Sequence, residues 1–248
     1  MLNQHIRRLH KIVRIATDTV KDVFTSGVTS RRSAPSASAA CASSGPTASC
    51  SARALCPHCR ALERHRTLWL YFEGCDLFKK PGMKLLHFAP ERAFLSRFAA
   101  MDNIDYWPVD IDPNLPGIRC TADIMDLPFE DESMDMIICN HVMEHIEDEA
   151  KAFSELHRVL KPDGIAIINA PVDTSREVTF ENPEYNTPEL RLKHFGQHDH
   201  VRIYGRDYPQ RLAKVFNVEV LEPNRKLSAQ ELKDYSVWEG DKIYVCRK

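Results

Sequence analysis

The chain has 248 residues, 43% of them apolar and 27% charged, with a formal charge of −2; this is an ordinary globular make-up, long enough for one full α/β domain and a smaller appendage. No apolar run approaches the roughly 18 residues that a membrane helix needs, so the sequence excludes a transmembrane span. Residues 1–33 hold seven Lys/Arg against two Asp, leaving 26 basic against 33 acidic residues behind them; a basic tail precedes a mildly acidic body, which argues against a large nucleic-acid footprint on that body.

Leu2, Ile6, Leu9, Val13, Ala16, Val20 and Val23 recur at spacings of four and three, opposite Arg7, Arg8, Lys11 and Arg14, which predicts an amphipathic helix over 1–24. Two uses stay open for it: docking or dimerisation, and a membrane-surface or targeting role that Asp18 and Asp22 weaken. Residues 25–51 are rich in Ser, Ala, Thr, Gly and Pro and read as a linker. Eight cysteines, with no signal-peptide pattern ahead of them and several inside strand-like runs, suggest a reducing compartment and a cytoplasmic location. Cys56-Pro57-His58-Cys59 is half of a four-thiolate zinc site, which Cys41 with Cys50, or with a histidine such as His58, would complete; over 52–75 the expectation is therefore a knuckle-like segment, with or without structural zinc, followed by a helix in "ALERHRTLWLYFEG".

From residue 76 onward the pattern alternates. The short apolar runs "KLLHF", "IDYWPVD", "DMIICN" and "GIAIINAP" are separated by helical stretches, the clearest being "EDEAKAFSELHRVLKPDG", with Phe153, Leu156 and Leu160 on one face and Pro162 and Gly164 expected to end it. Strands alternating with helices predict an α/β fold with a largely parallel sheet, and "FNVEVLEP" with "DKIYVCRK" predicts a closing antiparallel hairpin at its edge. In such sheets ligands bind beyond the carboxyl ends of the strands, here His87-Phe88-Ala89-Pro90-Glu91, Asp110-Ile111-Asp112, Asp123-Ile124 and Asn140-His141. A carboxylate about twenty residues after the first strand suits the two hydroxyls of a ribose, and Asp110 stands there; Asp also commonly ends a strand simply as a turn former.

The joint order of Asp123-Ile124, Leu127-Pro128-Phe129, Asp135, Glu144-His145 and Arg158-Val159-Leu160-Lys161-Pro162-Asp163-Gly164, over residues 84–172, closely resembles the class I S-adenosylmethionine-dependent methyltransferases of the type 11 kind. That resemblance implies a Rossmann-like sheet of seven strands with the last antiparallel. It implies S-adenosylmethionine as cofactor, with Asp110 on the ribose, Asp123 on the adenine amino group, Ile124 against the ring, and Asn140 and His141 near the methionine. The usual glycine-rich turn after the first strand is missing from "HFAPERAF". "CPHCRALERHRTLWLYF", "LLHFAPE" and "FGQHDHVRIYGRDYPQRL", in that order, resemble a branch of these enzymes with a glycine-less first motif, in which His87, Ala89 and Glu91 would meet the cofactor; relatives of that branch carry a second Cys-x-x-Cys where this chain has Cys41 and Ser44.

Residues 173–210 stand where such enzymes insert substrate-recognition loops. His198 or His200 is a candidate base with Asp199 orienting it, and Arg202 and Tyr204 are candidate contacts for a polar or acidic acceptor group. A self-satisfied polar lid, or a metal held by these histidines and Asp199, are the other readings of this stretch, while His145 reads mainly as a packing or capping residue. The expected function is methyl transfer to a small-molecule or glycan-like hydroxyl; RNA or protein methylation, and a non-catalytic scaffold that keeps only the shape, remain alongside it.

Overall fold

The computed structural model describes residues 55–56, 60–73 and 76–248. The expected helix over 1–24, the linker over 25–51 and three of the four thiols assigned to zinc, Cys41, Cys50 and Cys59, lie outside those residues. The fourth, Cys56, is buried.

In chain order the elements are α1 (Glu63–Glu73), β1 (Met83–Phe88), α2 (Arg92–Ala99), β2 (Ile104–Asp110), β3 (Cys120–Thr121), β4 (Met134–Asn140), α3 (Glu149–Val159), β5 (Leu160–Asn169), β6 (Phe180–Glu181), α4 (Pro188–Phe195), β7 (Arg202–Ile203), α5 (Tyr208–Leu212), β8 (Asn217–Leu221), α6 (Ala229–Tyr235) and β9 (Ile243–Arg247). Seven strands form one sheet in the order β3-β2-β1-β4-β5-β9-β8. The first five are parallel, and β9 runs antiparallel to both β5 and β8. The closing pair is antiparallel as expected but is not a tight hairpin: α6 lies between its strands, and β9 sits inside the sheet while β8 takes the edge.

Every residue of β4 is buried, as a central parallel strand covered on both faces requires. Side chains alternate between two cores, because successive residues of a strand point to opposite faces. Leu86, Phe88, Ile137, Cys139, Ala166 and Ile168 pack beneath Phe153 and Leu156 of α3. Leu85, Met136, Ile138, Ile165 and Ile167 pack on the other face beneath α1 and α2. There Phe72, Phe78, Phe94 and Phe98 form an aromatic cluster with ring centroids 5.2–6.1 Å apart. The helix α1 thus belongs to the same core as the sheet.

The helix α3 begins where Asp148 accepts from the Lys151 amide and Glu149 meets the positive end of the helix. It ends earlier than Pro162 and Gly164 predict. Leu160 is already extended and opens β5, because Leu160 pairs with Met134 and the strand then bulges before Ile165 pairs with Met136. Arg158, in the last turn of α3, donates to the Leu127 and Phe129 carbonyls and pairs with Glu155 and Asp131, so one guanidinium pins the Leu127-Pro128-Phe129 turn. At the amino end of β4, Asp135 is bound by Lys80, Lys161 and the Lys84 amide. Among the described residues no helix is long and apolar enough to cross a membrane.

Candidate cofactor crevice and histidine cluster

Strand order reverses between β1 and β4, since the chain goes from β1 to one side of the sheet and returns through β4 on the other; the crevice of an open α/β sheet forms at that point. Both strands end there in a left-handed residue. Ala89 follows β1 with φ of 44° and His141 follows β4 with φ of 54°. Each turn is pinned by a backbone bond, from the Ala89 amide to the Val109 carbonyl at 2.9 Å and from the His141 amide to the Asn169 carbonyl at 2.8 Å. Ala89 therefore takes the conformation for which glycine is normally used, at a cost of about 1–2 kcal/mol for an L residue, and it does so with its small side chain exposed.

Glu91 caps α2 and lies over the junction of the two strands. Its carboxylate meets His87 Nε2 at 2.7 Å and accepts from Asn140 Nδ2 at 3.0 Å, with His65 Nε2 at 3.9 Å. Burial pushes this carboxyl up, but the His87 hydrogen bond and the neighbouring imidazoles outweigh it and hold the group at about 2. His87 itself is fully buried. Its other nitrogen, Nδ1, lies 2.8 Å from the Tyr106 hydroxyl. Both ring nitrogens of His87, expected to meet the cofactor, are thus engaged within the protein, one of them on Glu91. Asn140, also buried, is similarly committed, donating to Glu91 and accepting from Asn169 Nδ2 at 2.9 Å, so it too is a positioning residue.

Asp110 is buried at the end of β2, where one carboxylate oxygen accepts from the Asp112 amide at 2.8 Å. Asp123 is half-buried and accepts from the Met125 amide. Ile124 is only 4% exposed and packs in the core, whereas Ile111, immediately after Asp110, is 39% exposed.

The segment 198–204 folds back onto the Met143–His145 turn that follows β4, tied by the Val201 amide to the Glu144 carbonyl at 2.9 Å. This gathers His145, Asp199 and His200 with Glu144. Asp199, expected to orient His198 or His200, lies 3.2 Å from His145 Nδ1. His145 is thus a member of the cluster rather than mere packing, and its ring stands edge-on to that of His200 at 4.8 Å. Burial, with His145 nearby, pushes the His200 ring below its ordinary value, which favours the neutral imidazole. His198 Nε2 is buried without a hydrogen-bond partner.

Arg202 and Tyr204, the candidate acceptor contacts, lie inside the fold. Arg202 is 4% exposed, pairs with Glu181 at 2.9 Å, and donates to the carbonyls of Met143, Ile146 and Glu147. Tyr204 is fully buried, with its hydroxyl on Glu149 at 2.9 Å. Both fasten the insertion to the sheet and leave no group for an acceptor.

The strand order, the lone antiparallel β9 and the crevice over β1 and β4 define a Rossmann-like class I methyltransferase fold. Residues 91–168 match the family described as "Methyltransferase domain". The chain is 35% identical over 67 residues to a probable S-adenosylmethionine-dependent methyltransferase of Mycolicibacterium smegmatis, covering 27% of this chain and 24% of that one. It is 33% identical over 82 residues to an uncharacterized 37.1 kDa protein in a transposon of Streptomyces fradiae, covering 33% and 23%. A solved SAM-dependent methyltransferase from Archaeoglobus fulgidus aligns with a TM-score of 0.46 at 14% identity, covering 74% of this chain and 92% of that one. The chain thus spans about a quarter of the length of these two curated relatives.

Proposed function

We propose that the protein is an S-adenosylmethionine-dependent methyltransferase acting on a hydroxyl of a small-molecule or glycan-like acceptor. The observation that carries the reading is Glu91, an ionised carboxylate clamped at the strand-reversal crevice inside a stretch that matches a methyltransferase domain. In this reading Asp110 takes the ribose hydroxyls, Asp123 the adenine amino group and Ile111 the ring face, while the left-handed turns at Ala89 and His141 admit the methionine portion. The acceptor oxygen attacks the methyl carbon in line with the sulfonium, the carbon–sulfur electrons pass to sulfur as S-adenosylhomocysteine leaves, and the hydroxyl proton passes to the neutral His200 ring. Support for a neutral polar acceptor comes from the acidic body and from the absence of an uncommitted cation at position 202, whose guanidinium is engaged within the fold.

The test is calorimetric titration of S-adenosylhomocysteine into the protein and into Asp110→Ala. Micromolar affinity that the variant loses is expected. Neither heat nor thermal shift at millimolar ligand, in cooperatively folding protein, would overturn the reading and leave a non-catalytic scaffold, which the glycine-less first turn favours.

A further inference from the structure

Glu144, His145 and His200 each offer one coordinating atom, and those atoms all lie within 4.8 Å of one another. Two come from the turn after β4 and the third from the segment ahead of β7, so the backbone bond between Val201 and Glu144 holds the set together across 56 residues of sequence. We propose that these three side chains bind a divalent transition cation of the zinc class, with Asp199 orienting His145 from behind.

Three observations point the same way. Glu144 is 3% exposed, and its Oε2 has no hydrogen-bond partner. A buried carboxylate oxygen without a hydrogen-bond partner is costly, and a cation removes that cost. Next, Asp199 engages His145 through Nδ1, which leaves Nε2 as the ring atom directed away from that carboxylate; a carboxylate behind a histidine is the usual means of fixing the tautomer and direction of a ligating imidazole. Finally, Glu144 and Asp199 are both buried, and among the described residues their only ion-pair partners are the histidines His141 and His145. Two carboxylates concentrated with imidazoles and without Lys or Arg form a donor set suited to such an ion.

Ligand atoms of a tetrahedral zinc-like ion lie about 3.3 Å apart for bonds of about 2.0–2.1 Å. The present spread therefore needs a contraction of at most about 1.5 Å, which side-chain torsions provide. Three protein ligands leave a position for water or for an oxygen of the acceptor. Where the methyl-transfer reading holds, a cation there would lower the pKa of the acceptor hydroxyl so that its proton leaves to solvent water, in place of the transfer to His200 given above. The proposal rests on that reading only for this use of the ion.

Cobalt(II) titrated into the full chain tests it, because thiolate ligands give near-ultraviolet charge-transfer bands and an imidazole–carboxylate site does not; the cysteine segment is thereby told apart. One cobalt per chain without thiolate bands is expected, lost in Glu144→Gln and His200→Ala and bound 10–100-fold more weakly in Asp199→Asn. Asp199→Asn keeps the side-chain shape and carries the test if His200→Ala fails to fold. Cobalt bound only with thiolate bands, no cobalt bound, or binding unchanged in Glu144→Gln and Asp199→Asn would overturn the proposal. S-adenosylhomocysteine titrated in the presence of a chelator reads the cofactor site separately, so its failure bears on methyl transfer and not on the cation.

Discussion

Ala89 shows how a crevice is built without its usual glycine. The residue needs a positive φ and no bulk, and alanine supplies the second while tolerating the first. Ala89→Gly should remove the left-handed cost but add chain entropy of similar size, so the melting temperature should move little and S-adenosylhomocysteine affinity should stay within about threefold. Ala89→Val, β-branched at positive φ, should destabilise by about 1–3 kcal/mol and weaken that affinity at least tenfold. Equal affinities in the two variants would mean that the turn does not meet the cofactor. His65, behind Glu91, makes a different prediction. Burial lowers it to about 4 from an ordinary 6.5, against the pull of Glu91. The unfolded chain therefore takes up a proton first as pH falls, and stability that is whole above pH 6.5 drains away toward pH 4, by on the order of 3 kcal/mol. His65→Phe keeps the packing on Phe94 and cannot titrate, so its melting temperature should fall less steeply over that window. Parallel slopes would refute the assignment.

The insertion between β5 and β8 is secured by one side chain more than by its own short ribbon. β6 and β7 pair through only two residues each, which is too little to stand alone. Arg202 supplies the rest, since its guanidinium gathers Glu181 from β6 and three carbonyls from the turns after β4. Arg211 adds a second tie through Glu149 and Glu181. Removing a buried charge that satisfies several acceptors costs about 3–5 kcal/mol, because the acceptors stay buried without it. Arg202→Met should lose stability of that order and raise amide exchange at Val201 and Tyr204 while β1 and β4 keep their protection. Arg202→Lys should rescue little, because an ammonium cannot reach four acceptors in a plane. A role on the acceptor instead predicts near-normal stability with a raised KM, and melting curves separate the two.

Alternation of apolar runs with helices made the sheet legible in sequence, and the acidic residues at the ends of β2 and β3 stand where the carboxyl ends were expected. Three things were not legible. The fate of Arg202 and Tyr204 depends on a contact spanning about 55 residues, and composition alone cannot tell a polar lid from a clasp. The pairing of Asp199 with His145, rather than with its chain neighbours, is likewise a product of folding back. The third is a line of hydrogen bonds that crosses the sheet. Tyr106 meets His87, His87 meets Glu91, Asn140 donates to Glu91, Asn169 donates to Asn140, and the Tyr244 amide donates to Asn169 Oδ1 at 3.0 Å. It joins β2, β1, β4, β5 and β9, which are adjacent in that order, so the crevice is braced by strands that never border it. Coupling along such a chain has a measurable consequence. Glu91→Gln removes the acceptor charge in the middle of the line, and Asn169→Ala removes the link two strands away without touching the crevice. If each acted alone, their effects on stability and on S-adenosylhomocysteine affinity would add, as they do for separated sites; a shared network predicts a coupling of about 0.5–3 kcal/mol. Asn169→Ala should therefore weaken the ligand several-fold in the wild-type background and far less once Glu91 is Gln. Strict additivity in the double-mutant cycle would reduce the line of bonds to independent local contacts, with Glu91 held only by its direct partners His87 and Asn140.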